Sequence, residues 1–374
     1  MIKKRSHSVW VVLLLICCCL FLSACRSKES NGPEEGEDQP SESVDLATLD
    51  IDYRVFQKVV GWLDDQTLLV HLGNADEHEL VAFDIFSGEK EQVYANGSSI
   101  LSVEINQSKE KILLQEIKSE QSTFRIITKD GATIQATDFG YTSYVNLNWN
   151  PTNDNTVFIS HYSYDHELEA ETILVYIWTV DDNTFTVKDI PSLSPRWYSE
   201  NVYLYIDELY TPVLYIGDIR EDKEDMVINR DITDFYLHQD TFIGLVESDI
   251  LDSEVLLFHE YPFLVGDKVI SIPKVTMNDF PISPQLTQSK RNGRIYGVIP
   301  DYSFALEEDL GTFHLSHLDF ENESVEEVLE LPEDAPIALS PTEEYLLYGW
   351  RLEYIIDLSD PELVELVELI KILN

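Results

Sequence analysis

The chain has 374 residues, of which 44% are apolar and 11% aromatic. That is enough to bury a full-sized core in one large or two ordinary domains, and too much for a disordered chain. Against 25 Lys and Arg stand 69 Asp and Glu, a formal net charge of −44, which excludes an electrostatic grip on nucleic acid or on an anionic lipid surface.

Lys3, Lys4 and Arg5 precede a run from Val9 to Leu22 that no charge interrupts. The run falls short of the ~20 residues that span a bilayer, and it ends in small residues. Residues 1–24 are therefore expected to be a secretory signal, with an uncleaved signal anchor as the alternative. The tail Leu22-Ser23-Ala24-Cys25 resembles the lipobox of bacterial lipoproteins. The resemblance implies cleavage before Cys25 and a diacylglycerol thioether on its sulfur. The protein is then held at the cell membrane on its extracytoplasmic face, by acyl chains worth about 0.8 kcal/mol per buried CH₂. Cys17, Cys18 and Cys19 leave with the signal, so no thiol remains for a disulfide or a metal. Loss of Lys3, Lys4 and Arg5 takes the net charge from −44 to −47.

Residues 26–43 hold no aliphatic or aromatic side chain and carry six acids among Ser, Gly and Pro. Such a stretch cannot offset its ordering entropy, so 25–45 is expected to be a lipidated Cys and a solvated tether of roughly 20–25 Å. The folded domain is expected over 46–374.

Past residue 50 the period is two: Leu101, Val103 and Ile105 alternate with polar neighbours, as do Val145, Leu147 and Trp149. A longer repeat lies above it. An apolar strand running into a polar turn recurs seven times, at 80–90, 124–133, 173–185, 213–225, 255–268, 313–325 and 353–364. From Asp84 to Asp357 the mean spacing is about 45 residues. Each unit holds an earlier strand, such as TLLVHL (67–72), KILLQEI (111–117) or VYLYI (202–206). Units of this length with short strands predict an all-β fold, a single β-propeller of four-stranded blades, in preference to a sandwich or two barrels. Seven units are counted; six result if 232–275 or 280–332 is an insertion, or if 51–57 completes the final blade.

NWNPTNDNTVFIS (148–160) and LSPTEEYLLYG (339–349) resemble the turn-and-strand step of TolB-type propeller repeats. YIIDLSDPELVELVEL (354–369) is similar to another short propeller repeat, although Asp360-Pro361 would also cap a helix. A lipobox, an acidic tether and one propeller together resemble the YqgU-like propeller lipoproteins of Gram-positive spore-forming bacteria. That resemblance implies six blades and no defined activity.

Nucleophile elbows, Walker loops and G-x-G-x-x-G loops are absent. His78-Glu79 and His166-Glu167 begin a zinc-protease motif, but Ala82 and Ala170 stand where it needs histidine. His314 and His317, three apart on a strand, point to opposite faces, and His161 and His166 share one only if a loop folds them together. Asp181-Asp182-Asn183 and Asp319 to Glu323 are read as turns. No catalytic residue, metal site or cofactor is assigned. The most suggestive local feature is the aromatic group Trp197, Tyr198, Tyr203, Tyr205, Tyr210 and Tyr215. The first four are candidates for ligand binding, against packing between blades. The expectation is a membrane-anchored module that binds a protein or an envelope glycan without catalysis and without nucleic acid. A glycan-acting lyase or hydrolase with carboxylates in the channel is the alternative, and a solute receptor for a transporter ranks last.

Overall fold

The alternation of apolar and polar residues is realised as strand throughout, and among the described residues every regular element is a strand. The computed structural model describes residues 46–370, apart from 76, 167–168, 210–212, 222, 239–240 and 261–267. The signal, Cys25, all of the tether, Glu167 and Tyr210 lie outside the described residues.

Seven four-stranded antiparallel sheets follow one another, at 56–95, 99–139, 146–188, 196–229, 232–273, 286–331 and 337–365. They are numbered here as blades one to seven. In each blade the four strands pair in chain order. Such a sheet has two apolar faces and covers neither, so each must be buried against a neighbour.

The hydrophobic clusters show which neighbour. Leu69 and Leu80 of blade one meet Ile112 and Ile127 of blade two. Phe124 of blade two meets Trp149 and Trp178 of blade three. Phe158 of blade three meets Trp197 and Tyr203 of blade four, and Leu204 and Leu214 of blade four meet Phe235 and Phe242 of blade five. Leu257 of blade five meets Ile299 of blade six, and Phe313 of blade six meets Leu346 and Tyr348 of blade seven. The last cluster joins Leu347 and Ile355 of blade seven to Trp62 and Val70 of blade one, so the series closes into a ring. This is a β-propeller.

Closure has its own fastening. The strand Leu49–Asp52 pairs in parallel with Val367–Ile370, Leu49 opposite Val367. The Val59 amide donates to the carbonyl of Arg351 at 2.9 Å, and the Trp62 indole to that of Ala338 at 3.3 Å. Residues 51–57 therefore do not complete the final blade, which draws all four strands from 337–365. The segment after Asp360-Pro361 is strand at Leu363–Glu365 and Val367–Ile370, not helix. Blade six reads irregularly because of a small three-stranded sheet beside it, built from Val275–Met277, Phe280–Pro281 and Phe304–Ala305. Seven blades is the count among the described residues.

The first strands of successive blades lie beside one another, so they line the central channel. All run the same way. First-to-second and third-to-fourth connections therefore gather at one end of the ring, the turn end. Second-to-third and blade-to-blade connections gather at the other, the loop end. The chain enters at the turn end, where the Ala47 amide donates to the carbonyl of Ile85 at 2.7 Å.

If closure rests on the same buried contacts as the other interfaces, truncating Leu49 should cost about as much as truncating Leu113 between blades two and three. Each Leu→Ala change is expected to lose about 2–4 kcal/mol in urea unfolding. A loss under about 1 kcal/mol at Leu49 alone would mean that the ring is held shut elsewhere.

Candidate functional site

The aromatic group of blade four is mostly interior. Trp197, Tyr203 and Tyr205 are 3%, 2% and 4% exposed, and Tyr198 packs half-buried against the cluster between blades four and five. The Trp197 ring stacks on Phe158 with centroids 4.1 Å apart, and its Nε1–H donates to the carbonyl of Asn148 at 3.1 Å. Trp62 makes the matching bond to Ala338 from the same place, the last residue of a first strand. Trp197 thus belongs to the packing of one blade on the next. Tyr203 sets an edge on Phe158, and Tyr205 stacks on Tyr215 at 3°.

What these tyrosines offer is their hydroxyls. That of Tyr203 donates to Asp225 Oδ2 at 2.9 Å, and that of Tyr205 also bonds Asp225. A groove of about 550 Å³ opens there, lined by Lys188, Asp189, Tyr203, Tyr205, Lys223 and Asp225. Burial pushes the Asp225 carboxyl up, with the two phenols holding it back in part, and burial raises both phenols as well. The groove suits a polar ligand. Its aromatic faces are already occupied by one another.

Two further carboxyls are strongly raised. Burial pushes Glu104, on the first strand of blade two, up to about 7; the Trp149 amide donates to its Oε1 at 2.9 Å and its Oε2 is buried without a partner. Burial, with the Glu333 charge added, pushes Asp334 up to about 6. Glu104, Asp225 and Asp334 owe their shifts first to burial, and none of the three acts on another.

The histidines are committed locally. His71 Nε2 and His78 Nδ1 are 2.8 Å apart, and burial first, then the charges of His78 and Lys58, holds His71 down at about 3. His161 stacks on Tyr141, His314 faces Asp301 at 2.6 Å, and His317 faces Glu326 at 3.4 Å. Among the described residues no three His, Cys, Asp or Glu side chains converge on one point. Asp319 accepts from the amides of Glu321 and Asn322, so that stretch works as a turn.

Sequence reading missed the most one-sided feature of the ring. Among the described residues, exposed large apolar side chains lie on fourth strands, on the closing strand Val367–Ile370 or at the loop end. Ile134, Val187, Met226 and Val364 are the fourth-strand cases. At the loop end stand Tyr144 (65% exposed), Tyr162, Tyr164, Ile250, Phe280 (70%) and Trp350 (62%), from blades three, five and seven and from the connections between blades two and three and blades five and six. Among the described residues the connections at the turn end carry none, although Ile134 and Met226 open fourth strands there. The signal was available: Tyr162 and Tyr164 end a second strand, and each of the others follows a second or a fourth strand in its repeat.

The family model described as "YqgU-like 6-bladed beta propeller domain" matches residues 84–349. That span takes in blades two to six whole, with parts of blades one and seven. The description counts six blades where this chain has seven four-stranded sheets among the described residues. The chain is similar to the uncharacterized lipoprotein YqgU of Bacillus subtilis (strain 168), 22% identical over 96% of this chain and 97% of that protein. Among solved structures it is similar to the uncharacterized protein lmo1340 from Listeria monocytogenes EGD-e, with TM-score 0.77, 20% identity, and coverage of 87% of this chain and 98% of that one. It is also similar to an oligogalacturonate lyase from Vibrio parahaemolyticus, with TM-score 0.55, 11% identity, and coverage of 82% and 87%. At these identities the structural likenesses establish the fold alone.

Glu104 and His71 leave opposite marks on pH dependence. Glu104 has a folded pKa above its ordinary 4.5, so the folded chain holds the extra proton and stability falls as pH rises from 4.5 to about 7. His71 has a folded pKa below its ordinary 6.5, so stability falls as pH drops from 6.5 to about 3. Glu104→Gln is expected to raise stability at pH 8 by on the order of 2–3 kcal/mol more than at pH 4. Chemical unfolding at both pH values reads the difference, and an equal effect at the two would assign the titration to another group.

Proposed function

The chain belongs to the family of YqgU-like β-propeller domains, and from that premise we propose that it is a lipid-anchored extracytoplasmic module that binds a protein or envelope component without chemistry. In this reading residues 1–24 are the signal, 25–45 carry the acylated Cys25 and the tether, and 46–374 form the ring. The anchor is supported by the lipobox and by the lipoprotein relative that aligns along nearly the whole chain.

The observation that carries the binding role is the apolar loop end. Soluble domains seldom leave aromatic side chains crowded on one end unless something covers them. Tyr and Trp are the side chains that anchor interfaces, because they bury large area at small entropic cost. The first described residues meet the ring at its turn end, opposite the aromatic surface. The rival reading, carboxylate chemistry on a glycan, asks for acids that meet. Glu104, Asp225 and Asp334, each raised on its own, give it no support, and the likeness to a lyase adds only a fold.

Two measurements test the proposal. Cys25→Ser should release the protein from membranes into the medium and abolish fatty-acid labelling; unchanged retention would point to an uncleaved helical anchor. Combined substitution of Tyr144, Tyr162, Tyr164 and Trp350 by Ser should weaken capture of the crosslinked partner on intact cells by at least about tenfold, with the melting temperature nearly unchanged. A Val187→Ser, Met226→Ser control on the fourth strands should capture as the parent does. Undiminished capture by the fourfold variant would move the interface off the loop end.

A further inference from the structure

Of the three half-buried arginines among the described residues, two have found an acceptor. Arg125 Nε donates to Glu116 at 2.7 Å, and Arg351 Nη1 donates to the carbonyl of Phe56 at 3.2 Å. The third is Arg196, which opens the first strand of blade four. Among the described residues its guanidinium enters no ion pair and no hydrogen bond. It is held in place all the same, with Cζ 5.4 Å from the centroid of the Phe235 ring in blade five. Such a contact restrains the planar group and leaves the N–H donors along its edge for another partner.

Arg196 lines a cavity of about 330 Å³ toward the loop end of the channel. Asp234 and Tyr236, from the first strand of blade five, line it too, as do Ser283 and Gln285, from the segment leading into blade six. Asp234 sits where the register of blade five slips between Ile232 and Asp234, an irregularity of the kind that re-aims a side chain. Its Oδ1 accepts from the Phe235 amide at 2.7 Å, and its Oδ2 has no hydrogen-bond partner among the described residues. Opposite charges thus face one cavity without meeting, in a chain where Arg54 closes on Asp52 and Arg220 on Asp218. Phe235 holds the two apart, Arg196 by its ring and Asp234 by its amide. Burial raises the Tyr236 phenol, with the Arg196 charge offsetting this in part, so the hydroxyl stays a donor on the same wall.

We propose that this pocket holds an α-amino carboxylate, either a free amino acid or the C-terminal residue of a chain. The carboxylate takes the fork of Arg196, and the N–H on the adjoining carbon donates to Asp234. The two charged walls select this chemistry. A bare anion would meet Asp234, a bare cation would meet Arg196, and a neutral sugar would answer neither charge. A planar carboxylate matches the guanidinium edge with two parallel bonds, and Tyr236 adds a third donor. The volume lies at the small end of ligand pockets, which suits one residue. None of the exposed aromatic side chains of the loop end lines the cavity, so the site does not rest on the interface proposed above.

The probes are alanine and acetyl-alanyl-alanine, each beside its C-terminal amide, titrated by calorimetry into the full chain in uncharged detergent micelles. At least one of the two carboxylates is expected to bind saturably, and its amide at least about tenfold more weakly. Arg196→Gln should weaken the same probe at least about tenfold, and Asp234→Asn severalfold, with the melting temperature close to that of the parent. If Arg196→Gln fails to fold, Arg196→Lys keeps the charge and should still weaken binding severalfold, because an ammonium cannot form the two parallel bonds. Binding of acetyl-alanyl-alanine identifies a chain end, and binding of alanine alone identifies a free amino acid. Binding of neither carboxylate, or an affinity that the amide and the variants leave unchanged, overturns the proposal.

Discussion

The whole structure depends on one constraint, that a four-stranded sheet with two apolar faces cannot bury either by itself. Every hydrophobic cluster is therefore shared by two blades, and the seventh must join the last blade to the first. The residues follow from this. A second strand such as Thr67–Gly73 is buried on both faces along nearly its whole length, whereas a fourth strand such as Lys90–Ala95 is largely exposed. Polar groups caught between blades have to be satisfied there. Glu116, 2% exposed, accepts from Tyr94 and Ser98 at 2.8 Å and from Arg125 at 2.7 Å. Close approach also dictates Gly131: its φ is +85°, and a Cβ would stand 1.9 Å from the carbonyl oxygen of Val93 in blade one.

Closing the ring also makes its two ends unlike. At the turn end the connections are short, and Asp, Asn and Ser side chains satisfy their amides: Asp64 serves Gln66 and Thr67, Asp84 serves Phe86 and Ser87, and Asn150 serves Thr152 and Asn153. Such turns leave little room for large apolar residues. The loop end is free of that geometry, and there the connections lengthen, as in the hairpin of Thr156–Asp165 with Ala170–Thr179 and the sheet added beside blade six. Variable surface accumulates where the scaffold does not need the chain.

The legibility of the sequence tracks burial. All fourteen strands that the repeats predict are second and third strands, the most buried pair of each blade, where apolar runs are uninterrupted. Fourth strands carry weak patterns because one face meets solvent, and first strands are short and partly polar, as in Asn146–Trp149. The count of seven survived the irregular sixth unit because the inserted strands add to the blade without replacing any of it. The site was harder. Density along the chain drew attention to the aromatics after Trp197, yet density cannot say that Phe158, Tyr215 and the group itself occupy their faces. Conversely Tyr144, Ile250, Phe280 and Trp350 stand far apart in sequence. Only ring closure brings them to one end.

Charge pairing is uneven around the ring. In a chain this acidic an ammonium or guanidinium group finds a carboxylate cheaply, and Arg54 with Asp52, Arg220 with Asp218 and Lys223 with Glu221 do so two residues away. These exposed pairs contribute little to stability; they show how readily a partner is found. Lys109 has Glu110 beside it, and that carboxylate turns to Lys129. Among the described residues Lys58, Lys90, Lys109, Lys118, Lys188 and Lys290 enter no ion pair, so an unpaired ammonium group is common in this ring. Repulsion between like charges and unmade hydrogen bonds both oppose folding. A fully buried carboxylate such as Glu116 is satisfied by three donors, whereas Glu104 keeps one oxygen without a partner and burial disfavours its charge instead.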